Sequence, residues 1–276
     1  MQERLGIIGF GNMGQAMAGQ LASYYQITVF DKDKHRTAAV KGINVAGDVI
    51  SLAEKSEVLL LAVKPQDIDG VLKVIRNYVK DKLVISIAAG ISTAHLEKML
   101  GKVRVVRAMP NIGVKIAESV TCLCKGSFAS DEDLELAREL FYYLGVVRTI
   151  DEKMMNAATA ISGSGPAYIF YFLEQNSLDP NNIPEHARRD MIKRLAQAAE
   201  NVGFNHEDAM FLAVNTANTS LSLLKKTKSS PAELRGQVTS KGGTTEAAMA
   251  ILRQSDSWGD AARAALKRAE LLARRD

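Results

Sequence analysis

The chain has 276 residues, 47% of them apolar and 24% charged, with 35 basic against 31 acidic side chains and a net charge of +4. That balance is typical of soluble globular proteins and excludes a disordered, collagenous or disulfide-scaffold chain, and at about 100–200 residues per domain the length suggests two domains or one large one. No apolar run approaches the roughly 18 residues of a membrane span, and the basic residues are dispersed, so neither a membrane nor nucleic acid is an expected partner.

The first half alternates short apolar runs with helix-length pieces. The runs Leu5–Gly9, Ile27–Phe30, Ile43–Val45, Val58–Ala62, Leu83–Ile87 and Val103–Arg107 read as strands, with helices such as Asn12–Ala22, Gln66–Val79 and Thr93–Leu100 among them. Continuous apolar runs separated by helices predict a largely parallel sheet covered on both faces. Val120–Cys124 and Val146–Ile150 are two further strands, flanking a helix over Asp131–Leu144 that has acidic residues in its first turn and Gly145 just past its end. After Asp151 no strand is predicted. Glu152–Ile161, Pro166–Glu174, Arg188–Val202, His206–Lys225, Thr245–Arg253 and Trp258–Arg274 read as helices, and Asn176–Glu185 as a loop. The expected plan is an α/β domain over residues 1–151 followed by an all-α domain over 152–276.

The start, Met1-Gln2-Glu3-Arg4-Leu5, has neither the basic stretch nor the apolar core of a signal peptide, so a cytoplasmic protein is expected. Cys122 and Cys124 read as small buried hydrophobes in a reducing compartment. The four histidines are far apart and show no ligand spacing, so no metal site is expected.

Gly9-Phe10-Gly11-Asn12-Met13-Gly14 follows the first strand and opens a helix. In that context the first glycine makes a tight turn, the second admits a pyrophosphate to the backbone, and the third lets the helix pack on the sheet. The free N–H groups of the helix start suit the anion. Asp31 ends the second strand, 22 residues after Gly9, where an acidic residue commonly binds the ribose 2′-OH and favours NADH. Lys32, Lys34 and Arg36 follow at once and suit a 2′-phosphate, so NADH and NADPH both stay open, with a slight lean to NADH. Other strand ends carry Ala62-Val63-Lys64-Pro65, Ala88-Ala89-Gly90 and Asn111. Small residues give a cofactor close access, Lys64 reaches a ribose hydroxyl or carboxylate, and the Asn111 amide offers a donor and an acceptor near a nicotinamide. In the helical half, Ser162-Gly-Ser-Gly-Pro166 reads as a break between helices. Ser240-Lys-Gly-Gly-Thr-Thr245 opens the next helix. Its N–H groups and hydroxyls suit a carboxylate, but Thr244 or Thr245 equally reads as an ordinary N-cap.

The ordered set Gly9–Gly14, Ala62–Pro65, Ser86–Gly90, Arg107-Ala-Met-Pro-Asn111, Ser162–Tyr168 and Pro231–Thr245 resembles the pyrroline-5-carboxylate reductase family over almost the whole chain. The resemblance implies a Rossmann domain followed by a helical domain that dimerises by intertwining, often in a ring of five dimers. It implies the last step of proline synthesis: hydride transfer from NADPH or NADH to C5 of the cyclic imine. It further implies a substrate site between the nicotinamide and the Ser240–Thr245 loop, supplied by the partner subunit. Ser240, Gly242, Gly243, Thr244 and Thr245 match the loop for the carboxylate and ring nitrogen, and Val238 matches a pocket-lining residue. Thr245 is the expected hydroxyl on the ring nitrogen and the one catalytic side chain.

Four positions depart from the family. Lys241 replaces a proline, Ile112-Gly113 replace Thr-Pro, extra residues fall around Asn176–Lys193, and Val49 stands at an adenine-side position that often carries Asn. The alternatives are a reductase of a related cyclic imine and a non-catalytic nucleotide-binding paralogue. A β-hydroxyacid dehydrogenase is disfavoured, because Lys153 stands only at the start of the first long helix.

Overall fold

The structure, a computed structural model, describes residues 3–38 and 40–273. The chain forms two compact units. A sheet unit combines Met1–Met109 with Cys122–Glu152, and a helical unit combines Pro110–Thr121 with Lys153–Asp276. The segment 110–121, which the sequence reading leaves inside 1–151, thus groups with the helices.

The sheet unit holds β1 (Arg4–Ile8), α1 (Asn12–Leu21), β2 (Gln26–Phe30), α2 (Lys34–Thr37), β3 (Asn44–Val45), α3 (Val49–Lys55), β4 (Val58–Leu61), α4 (Ile68–Ile75), β5 (Leu83–Ser86), α5 (Thr93–Leu100), β6 (Arg104–Met109), α6 (Asp131–Tyr142) and β8 (Gly145–Thr149), with β7 (Ser119–Lys125) entering from the other unit. The strand order is β3-β2-β1-β4-β5-β6-β7-β8. The first six are mutually parallel, and β7 is antiparallel to β6. All eight expected strands are present. The antiparallel step follows from residues 110–118, which are too few for the helical crossover that a parallel return requires.

The register sets the edge that matters. Ile8 lies level with Phe30 and with Leu61, and Leu61 with Ser86. The residues that follow each strand, Gly9, Asp31, Ala62 and Ile87, therefore emerge along one carboxyl edge. The order reverses between β1 and β4, which is where open α/β sheets bind ligands. Behind this edge, Ile8, Leu59, Leu61, Val84 and Val105 pack with Ile68, Leu72 and Ile75 of α4 and Leu96 and Leu100 of α5, all 4% exposed or less. Strands β4 and β5 are buried along their whole length.

Arg107 on β6 is 3% exposed and meets Glu152 at 2.6 Å. The Cys124 thiol donates to the other carboxylate oxygen at 3.0 Å. Burial works to raise the Glu152 carboxyl, but the Cys124 hydrogen bond and the Arg107 charge outweigh it, leaving it below its ordinary 4.5. A lowered carboxyl adds stability above its unfolded-state value and loses it as pH falls through the folded one. Glu152→Gln should cost about 2–3 kcal/mol at neutral pH, discounted because Glu152 is a third exposed. Urea midpoints for the two proteins should converge as pH drops below 4.5; a gap independent of pH would remove the ion pair as the cause.

The helical unit contains α7 (Met155–Ala158), α8 (Gly165–Gln175), α9 (Glu185–Asn201), α10 (His206–Thr227), α11 (Pro231–Val238), α12 (Thr244–Ser255) and α13 (Trp258–Ala273). Trp258 makes T-shaped ring contacts with Tyr168 and Phe172, with ring centres 5.8 and 6.1 Å from its own. The expected end of the last helix, Arg274, lies outside the described residues. The expected break at 162–166 is instead a π-helical turn, Thr159–Gly163, that runs on through Ser164 into α8. The Ser164 N–H reaches back five residues to the Thr159 carbonyl at 2.9 Å. Gly165 allows close packing there, since a Cβ would stand 3.2 Å from Thr216 Cγ2 and 3.4 Å from Leu195 Cδ1. Helix α9 starts at Glu185, three residues before the expected Arg188.

Candidate active site

The first cluster belongs to the sheet unit. Gly9 has φ +99, and a Cβ there would lie 2.6 Å from the Ala62 carbonyl oxygen. Its N–H donates to the Phe30 carbonyl at 2.8 Å, tying the loop to β2. Gly14 packs so tightly that a Cβ would fall 2.1 Å from the Gly9 carbonyl oxygen. At Gly11, by contrast, a Cβ would meet only the tip of Arg36, at 3.1 Å. The loop face at Gly11 is thus closed by one flexible side chain and not by backbone. Helix α1 then begins with no side-chain cap and no acidic residue in its first turn, so the N–H groups from Asn12, Met13 and Gly14 and the positive end of the helix suit an anion. These features fit a dinucleotide pyrophosphate.

Asp31 is drawn into the loop. Its carboxylate accepts from the Phe10 N–H at 2.6 Å and the Asp33 N–H at 2.9 Å, and Arg36 stands 3.8 Å away. It holds the phosphate loop in shape, a role the sequence spacing did not reveal. Lys32 pairs with Asp67 at 2.6 Å, joining the loop after β2 to the turn after β4. In that turn Ala62 and Val63 touch the Gly9 position, while the exposed Lys64 precedes the 3-10 turn Pro65–Asp67. Ala88, Ala89 and Gly90 follow β5, with Gly90 at φ +75. All these candidates share one edge of one unit.

Asn111 falls in the helical unit. Its side-chain oxygen accepts from the Gly113 and Val120 N–H groups at 3.0 and 3.2 Å, and its own N–H donates to Ser119 Oγ at 3.1 Å. Its Nδ2 is buried without a partner among the described residues. A buried amide donor left unpaired is costly, and a ligand acceptor would relieve it.

The second cluster is the start of α12. Helix α11 ends at the half-buried Val238, and the chain turns through Ser240 to Gly243. The Gly243 N–H donates to the Ser240 carbonyl at 2.9 Å. Gly242, at φ +70, is held on both sides of its backbone. Its N–H donates to Glu246 at 2.7 Å, and its carbonyl accepts from Arg268 Nε at 2.7 Å. Sequence reading missed Glu246 and Arg268. Glu246 was legible as the third residue of a helix start, but nothing along the chain marks Arg268. The N-cap is Gly243, without side-chain capping. The hydroxyls of Thr244 and Thr245 instead lie 3.1 Å from Ser164 Oγ. Thr245 and Ser164 are buried. The loop therefore leaves helix-start N–H groups available beside a fixed hydroxyl.

A doubly wound sheet with a glycine phosphate loop, followed by a helical unit with a glycine-rich helix start, defines a nucleotide-dependent oxidoreductase. Residues 4–90 match the family description NADP oxidoreductase, coenzyme F420-dependent. Residues 152–177 and 190–272 match pyrroline-5-carboxylate reductase dimerisation, leaving 178–189 unmatched within the stretch expected to carry extra residues. The pyrroline-5-carboxylate reductase of Aquifex aeolicus is 38% identical over 88% of this chain and 86% of its own. That of Synechocystis is 32% identical over the full length of both. Among solved structures, the Coxiella burnetii pyrroline-5-carboxylate reductase is 29% identical with a TM-score of 0.66 over 100% of both chains. The Plasmodium falciparum pyrroline carboxylate reductase, solved with NADP bound, is 26% identical with a TM-score of 0.65 over 98% of both. The chain belongs to the pyrroline-5-carboxylate reductase family.

Proposed function

We propose that this chain reduces pyrroline-5-carboxylate to proline with NADH or NADPH. The observation that carries the reading is the start of α12, where Thr244 and Thr245 leave the helix uncapped and turn their hydroxyls to Ser164. Free N–H groups at a positive helix end suit the substrate carboxylate, and the Thr245 hydroxyl would bond the ring nitrogen. Ser240, Gly242 and Gly243 shape the turn, and Val238 lines it.

The phosphate loop, Asp31, Lys32, the Ala62–Pro65 turn and Ala88–Gly90 would hold the dinucleotide, and Asn111 Nδ2 would donate to the nicotinamide end. When bound, the reduced cofactor supplies a hydride to C5, and the C=N electron pair ends on nitrogen. A protonated imine accepts hydride readily, so the chain's own residues mainly orient two rings and anchor a carboxylate. Asp31 inclines the site to NADH, while Lys32 and Arg36 offer cations to a 2′-phosphate. The helical unit supports a homodimer. We further propose assembly toward a decamer, checked by solution mass, and a cytoplasmic location.

The test is oxidation of NADH and of NADPH, followed side by side with pyrroline-5-carboxylate. Turnover with either supports the reading and identifies the cofactor. No turnover by folded, nucleotide-bound protein would point to a related cyclic imine or to a non-catalytic role.

A further inference from the structure

We propose that Ser164 is a positioning residue that fixes which way the Thr245 hydroxyl points, and so makes Thr245 an acceptor for a protonated ring nitrogen. The proposal rests on the reductase reading above and names a residue outside the expected loop. Thr245 Oγ1 donates to Ser164 Oγ at 3.1 Å, and Ser164 Oγ lies 3.1 Å from Thr244 Oγ1. Ser164 has no exposed surface, and its N–H closes the π-helical turn on Thr159. Its neighbours Thr159 and Ser162 direct their own hydroxyls to the carbonyls of Met155 and Ala158. Ser164 is thus the hydroxyl of this turn that faces α12.

A hydroxyl carries one proton and two lone pairs. Three hydroxyls stand in a row, Thr245, Ser164 and Thr244, and at its first link Thr245 is the donor and Ser164 the acceptor. With its proton committed to Ser164, Thr245 offers a lone pair outward. A protonated cyclic imine has an N–H to donate and no lone pair on nitrogen, whereas the neutral imine has a lone pair and no N–H. The row therefore matches the protonated form, which is the one that accepts hydride. The π-helical turn gives the row its anchor, since an extra residue in a helix re-aims the side chains around it, and such turns recur at functional sites.

The experiment measures kcat and KM for pyrroline-5-carboxylate with Ser164→Ala, Thr245→Ala and the double variant, alongside nucleotide affinity by fluorescence titration. Ser164→Ala should lower kcat/KM about tenfold, the effect of one well-placed hydrogen bond. Nucleotide affinity should not change. Because Ser164 acts through Thr245, the double variant should be no slower than Thr245→Ala alone. Full additivity, or an unchanged kcat/KM in Ser164→Ala, would overturn the proposal. If Ser164→Ala does not fold, Thr244→Val interrupts the same row from the half-buried helix start and should give the same non-additive pattern, with additivity again overturning it. Turnover by the unaltered protein separates the two failures. Without it the reductase reading falls and takes this inference with it; with it, an additive result rejects Ser164 alone.

Discussion

Replacing Thr245 by alanine should lower kcat/KM for pyrroline-5-carboxylate by about 10–100-fold, the range expected for a buried hydrogen bond to a charged group. Nucleotide affinity should hold, because Thr245 bonds to Ser164 and not to a residue proposed to hold the dinucleotide. Thr245 is the second residue of α12 and 4% exposed. Alanine suits a helix and removes few buried atoms, so the variant should fold. Thr245→Ser keeps the hydroxyl and should recover most of the activity. Thr245→Val keeps the shape without the hydroxyl and should behave as alanine does. Full turnover in the valine variant would remove the hydroxyl from the mechanism.

The strands were legible because each is a short apolar run bounded by polar or turn residues. That β7 runs antiparallel was not read from the sequence, although the few residues between β6 and β7 leave no room for a helical crossover. Helix α3 carries Val49, Ile50 and Ser51, which are weak helix formers, and its signal is Asp48, whose carboxylate caps the Ser51 N–H at 2.8 Å. Helix α11 announces itself by Ser230-Pro231 with Glu233, a capping box with proline at the first position. It was read as part of a motif and not as an element. The glycine loop and the Gly-Gly-Thr-Thr start were legible because a turn and a helix start have local chemistry. Ser164 and Arg268 lie 81 and 26 residues from their partners Thr245 and Gly242. Such contacts are made by packing, and no local pattern encodes them. Asp31 shows the same limit. Its spacing suggested a ribose contact, and the structure adds a bond to the Phe10 N–H that follows from strand register.

Gly14→Ala should weaken NADH and NADPH binding by about 100-fold or more and cost about 1–3 kcal/mol of stability through overpacking. Glycine is required there for space and not for dihedral freedom, since position 14 is helical. The added Cβ would lie 2.1 Å from the Gly9 oxygen and 3.1 Å from its carbonyl carbon. Both are backbone atoms, and Gly9 cannot retreat because it already sits against Ala62 and bonds to Phe30. Helix α1 must therefore lift from the loop by about an ångström, taking its first-turn N–H groups out of line with the anion; displacements of that size cost about 100-fold where geometry is exacting. Gly19→Ala is the control within the same helix. Nothing lies within 4 Å of a Cβ at position 19, so it should leave binding unchanged and raise stability by about 0.5–1 kcal/mol. Fluorescence titration and urea midpoints on the two variants give both readings. Native nucleotide affinity in Gly14→Ala would mean that the close approach of α1 to the loop is not what holds the pyrophosphate, and the anchoring would then have to come from the side chains of Lys32, Arg36 and Lys64.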